Sequence, residues 1–89
     1  MTPDQRELYR TALLRVLEAN ETQWGLSAPV LAVHVAVFGF RGLGAELAST
    51  ELRYLRDKGF VKTPSKAISP ENQTWRITAA GRDWLAANG

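Results

Sequence analysis

The sequence has no cysteine and a single histidine, His34. Disulfides and thiolate metal sites are excluded, and one imidazole cannot build a zinc centre. The lack of thiols fits a reducing compartment, so the expected location is cytoplasmic. Ser27, Ser49, Ser65 and Ser69 have only His34 to activate them; no nucleophile–base pair is indicated and no enzyme is expected. His34 reads as a structural residue. Long apolar runs are also missing. The greasiest stretch, Ala28 to Phe40, is broken by His34 and Gly39 and is too short to span a bilayer. The opening residues Pro3, Asp4 and Glu7 are unlike the basic-then-apolar start of a secretory signal. Gly39, Gly42 and Gly44 follow no strand and precede no P-loop lysine, so phosphate cradling is not expected there, nor is any cofactor.

What is present suits one domain, residues 1–89, with a modest core. The chain has 89 residues, 45% of them hydrophobic, as in ordinary globular proteins. Its net charge is only +2, but the charge is unevenly spread. Residues 1–40 hold three basic and four acidic side chains. Residues 41–76 hold Arg41, Arg53, Arg56, Lys58, Lys62, Lys66 and Arg76 against Glu46, Glu51, Asp57 and Glu71. A basic half of this kind favours a polyanionic partner.

The spacing of apolar residues sets out the elements. Thr2, Pro3 and Gln5 predict a capped helix start. Leu8, Tyr9, Ala12, Leu13, Val16 and Leu17 form its inner stripe, running to about Asn20, and Leu14 lies off it as an expected surface residue. Glu21 to Gly25 reads as a loop, with Trp24 covering one end of the core. Ser27 and Pro29 predict a second helix, apolar almost all round from Val30 to Phe38 and therefore buried on most sides, either in the core or against a second subunit. A third helix runs from about Leu43 to Lys58. Gly44, Ala48, Leu52 and Leu55 face inward, with Glu46, Ser49, Thr50, Arg53 and Asp57 outward and Arg56 on one flank. Gly59 suits a left-handed cap, and Phe60 and Val61 begin a strand. The strand Phe60–Thr63, a polar loop containing Lys66 and Ile68, and a second strand Gln73–Ile77 make a hairpin, with Trp75 and Ile77 inward. Thr78 caps a last helix containing Trp84 and Leu85. Trp24, Trp75 and Trp84 have apolar neighbours and read as core or interface rather than as platforms for bases.

Two segments, Leu52-x-x-Leu55-x-x-x-Gly59-Phe60-Val61 and Trp75-x-Ile77-Thr78-x-x-Gly81-x-x-x-Leu85, together resemble the winged helix-turn-helix domains of MarR-like, ArsR-like and PadR-like repressors. The likeness spans roughly residues 26–85. The short length is also similar to small winged-helix regulators of phages and mobile elements. The resemblance implies an α+β fold: three helices, a two-stranded wing hairpin and a C-terminal helix, with the helix-turn-helix at about 27–58 and the wing at about 60–77. It implies a sequence-specific transcriptional regulator that places helix 43–58 in the major groove of double-stranded DNA. Carried over by position, Arg53 meets guanine, while Ser49 and Thr50 meet bases or phosphates. Arg41 clamps a phosphate ahead of the helix, Arg56 adds charge on its flank, and Lys62, Lys66 and Arg76 of the hairpin contact the DNA backbone. A homodimer is expected through the first helix (Leu14) and the last (Trp84, Leu85), since paired half-sites offset the weakness of one small domain. Glu46, Glu51 and Asp57 depart from the pattern by placing acids on the supposed DNA helix. They suit the alternative, a winged-helix module that binds protein instead.

Overall fold

A computed structural model describes residues 1–64 and 72–88. The first helix, α1, spans Pro3–Ala19. Its capping box closes as expected: the Gln5 amide donates to Thr2 Oγ1 at 3.1 Å, and the Thr2 amide donates to Gln5 Oε1 at 2.9 Å. These bonds satisfy two donors that a helix start otherwise leaves unpaired. Two side chains depart from the expected stripe. Leu8 is exposed and Leu14 is buried. The reason is that α1 is embraced from several sides, packing on the second, third and last helices and on the sheet. Its buried arc is therefore wider than one face.

A two-residue strand, β1 (Leu26–Ser27), leads into α2 (Ala28–Val35) and a 3₁₀ turn at Ala36–Phe38. Ser27 occupies the N-cap position with extended backbone, although its side chain makes no capping bond. Gly39 closes the turn at φ 95°. Only Ala28, Leu31 and Val35 of this stretch are fully buried. Val30, Val33, Val37 and Phe38 face outward, Val37 with 86% exposure. So short an element has one side packed on α1 and the helix that follows, and its remaining sides meet neither. Trp24 is likewise 69% exposed and covers no core.

Helix α3 spans Ala45–Asp57 and buries Ala48, Leu52 and Leu55 as its spacing predicts, whereas Gly44, expected in the same row, is its exposed N-cap residue. Gly59 adopts φ 81°. Its amide donates to Arg56 O and the Phe60 amide donates to Leu55 O, both at 2.9 Å. This paired pattern is the Schellman ending, which settles the last carbonyls of the helix. The chain then enters β2 (Val61–Lys62), returns as β3 (Thr74–Ile77) and closes with α4 (Ala79–Asn88).

The fold class is α+β, but among the described residues the sheet has three strands rather than the expected two. The antiparallel order is β1-β3-β2, with Leu26 opposite Trp75, and Val61 opposite Ile77. Among the described residues there are four α-helices, and a 3₁₀ turn that the sequence did not announce follows α2. β1 was concealed because two residues carry no alternation to read. Gly25, at φ 77°, makes the pairing feasible, because a Cβ there would overlap the Trp75 carbonyl oxygen. Trp75 and Ile77 point into the core, as alternation along a strand requires. Among the described residues no helix is long and apolar enough to cross a membrane.

Thr78 links the two segments that stood out in the sequence. Its hydroxyl donates to Gly59 O at 2.6 Å and accepts from the Gly81 amide at 3.1 Å. Its own amide donates to Phe60 O at 3.0 Å. The end of α3, the first residue of the hairpin and the start of α4 are thus held by one side chain and one peptide unit.

Candidate nucleic-acid interface

The buried row of α3 leaves its opposite side open. Thr50 and Arg53 are exposed there, and Ser49 is half-buried at the margin. The Thr50 hydroxyl donates back to Glu46 O at 3.0 Å, so its donor is spent within the helix while its methyl group and lone pairs stay available. Arg53 forms no ion pair among the described residues. Arg56 is exposed with its guanidinium 5.8 Å from the Trp75 ring centre, and Asp57 Oδ1 lies 3.9 Å from its Nε. Arg56 therefore sits where α3 borders the sheet. Arg41 is exposed in the turn before α3, at the far end of that helix from Arg56.

Glu51 corrects the sequence reading. It is only 3% exposed and is absent from the open side of α3. Arg10 Nε donates to Glu51 Oε2 at 2.6 Å, and Arg6 Nε lies 3.3 Å from Glu51 Oε1. Arg10 also reaches Glu7 at 3.0 Å and lies over the Tyr54 ring, 3.6 Å from its centre. Burial opposes the charge on Arg10, but the hydrogen bond and charge of Glu51, helped by Glu7, outweigh it and hold the guanidinium pKa above its ordinary value. The position itself carried the signal: Glu51 falls in the same helical row as Ala48 and Leu55. A carboxylate in a buried row requires a cation from a neighbouring element.

Among its described residues the hairpin contributes less free charge than expected. Lys62 is exposed on β2, directly across from Arg76. Arg76, however, donates to Glu21 Oε1 at 2.9 Å, and Arg82 of α4 takes the other oxygen of that carboxylate. The two guanidiniums hold the Glu21 carboxyl below the usual carboxylate range, Arg82 more strongly than Arg76. Arg76 is thus committed to joining the loop before β1 to the sheet. Lys66 lies outside the described residues, as does Ile68.

The residues expected to form a subunit contact on the first and last helices are largely interior. Leu14 and Leu85 are buried within their own chain. Trp84 is half-buried, with its ring 5.9 Å from that of Phe60. Leu14 therefore cannot present a subunit contact. The exposed apolar side chains among the described residues include Trp24, Val30, Val33, Val37 and Phe38, together with Leu8 across a groove of about 320 Å³ that Phe38 and Leu8 both line. Comparisons with protein-family models, curated proteins and solved structures return no match for this chain.

Proposed function

We propose that the chain is a sequence-specific DNA-binding transcriptional regulator of winged helix-turn-helix type, acting in the cytoplasm. In this reading α3 enters the major groove and the hairpin 60–77 is the wing. The observation that carries it is the open side of α3. Ser49, Thr50, Arg53 and Arg56 are available there, while Glu51 is withdrawn into the interior by Arg6 and Arg10. An α-helix fits the width of the major groove, and a guanidinium can donate twice to the edge of guanine. Lys62 and Arg41 supply charge for phosphate at the two ends of α3. Two copies paired about a two-fold axis are part of the proposal, and the outward apolar residues of α2 and its 3₁₀ turn are the surface that supports it.

Fluorescence anisotropy with duplex DNA tests the reading. Affinity is expected to fall by orders of magnitude between low and moderately high salt, because each phosphate contact releases a counterion. Arg53→Ala is expected to lose about 1–3 kcal/mol of discrimination between sites, and Lys62→Ala to weaken all duplexes alike. Equal binding by the wild type and an Arg53/Arg56/Lys62/Lys66 quadruple alanine variant would end the proposal and leave a protein-binding module.

A further inference from the structure

Helix α3 carries three acids, and the fold accounts for two of them. Glu51 is buried between Arg10 and Arg6, and Asp57 lies beside Arg56. Glu46 is exposed, on the same side as Thr50 and Arg53, and has no ion-pair partner among the described residues. In the first turn it interacts favourably with the helix dipole. A carboxylate facing a phosphate-lined groove is nevertheless repelled unless it accepts a hydrogen bond there. In the major groove the amino groups of cytosine and adenine are the donors, and cytosine N4 is the usual partner of an acidic side chain.

Resting on the proposed function, we infer that Glu46 and Arg53 are a pair of specificity-determining residues that read a cytosine and a guanine about three base-pair steps apart. The two side chains are complementary in chemistry: Glu46 only accepts and Arg53 only donates. They lie two helical turns apart on one side of α3. At about 1.5 Å per residue their separation along the axis is about 10.5 Å. That span matches about three steps of stacked bases at about 3.4 Å each. Thr50 stands between them with its donor turned back to Glu46 O, which leaves its methyl group for the apolar edge of a thymine.

Selection from a random duplex library, run with the full chain and with Glu46→Gln and Arg53→Ala, tests this. Both positions are exposed, and matching circular dichroism spectra will confirm that the variants fold. The wild type is expected to enrich a site with cytosine and guanine preferences about three steps apart. Glu46→Gln should relax the first preference by about tenfold or more and leave the second, and Arg53→Ala should do the reverse. Sites unchanged by either substitution would overturn the inference. So would a Glu46→Gln variant that binds every duplex more tightly with the same preferences, because Glu46 would then only repel phosphate. Anisotropy with a non-specific duplex at low salt separates the two levels of failure. Binding without any enriched base defeats this inference and leaves DNA binding standing, whereas no binding at all defeats the proposed function beneath it.

Discussion

Glu46 and Glu51 sit on the same helix five positions apart and have opposite surroundings. Glu51 is enclosed by two guanidiniums; removing it leaves Arg10, whose side chain is only 14% exposed, with the exposed Glu7 as its one remaining acidic partner among the described residues. Breaking a buried pair from one side is strongly destabilising, so Glu51→Ala is expected to lose about 3–5 kcal/mol in urea unfolding, against no more than about 0.5–1 kcal/mol for Glu46→Ala, which forfeits only a helix-end interaction. Tyr9, next to this cluster, is fully buried, and its hydroxyl finds no hydrogen-bond partner among the described residues. Burial, with help from the Glu51 charge, pushes its pKa up to about 12. The neutral phenol is the form the folded state prefers. Its contribution is therefore complete below the unfolded value near pH 10 and is lost as the pH rises toward 12, a loss on the order of 2 kcal/mol. Tyr9→Phe should lessen that alkaline loss in pH-dependent melts. At neutral pH it should be neutral or slightly stabilising, because an unpaired buried hydroxyl is removed.

Among the elements, the join between α3, the hairpin and α4 is where local signals and packing agree most closely. Gly59 is needed for its left-handed backbone, and Gly81 for a different reason. A Cβ on Gly81 would overlap the Phe60 carbonyl oxygen and come within 2.8 Å of Ile77 Cγ1. Helix propensity alone would favour alanine there. The close approach is expected to win, so Gly81→Ala should lower stability by about 1–3 kcal/mol in thermal unfolding. The opposite result, a rise in melting temperature, would show that α4 can shift away from Phe60 and Ile77 without loss. Helix α2 shows where local pattern and packing part. Its sequence is apolar on nearly every side, yet its packing uses only Ala28, Leu31 and Val35.

For the molecule as a whole, charge is arranged to join elements as much as to face outward. Glu21 gathers Arg76 and Arg82 and so ties the loop before β1 to the sheet and to α4. Its folded pKa lies below the unfolded one. Whatever it contributes is present above the ordinary carboxylate range and is lost as the pH falls through the lowered folded value. A Glu21→Gln variant should therefore show a shallower loss of stability on acidification than the wild type, measured by melting temperature against pH. Of the eight residues singled out for DNA, Ser49, Thr50, Arg53, Arg56, Arg41 and Lys62 keep accessible positions, Arg76 is taken up by Glu21, and Lys66 lies outside the described residues. Chain-local chemistry was enough for the helices, their caps at Thr2, Gly59 and Thr78, and Ala48, Leu52 and Leu55 of the inner row of α3, because periodicity and capping act over a few residues. It could not reveal strand β1, the interior place of Leu14, or the partners of Glu51 and Arg76. Those depend on segments tens of residues apart meeting in space: Arg10 with Glu51, Glu21 with Arg76, Gly25 with Trp75. A charged side chain announces its charge in the sequence, but whether that charge meets solvent or an opposite neighbour is settled only when the chain closes on itself.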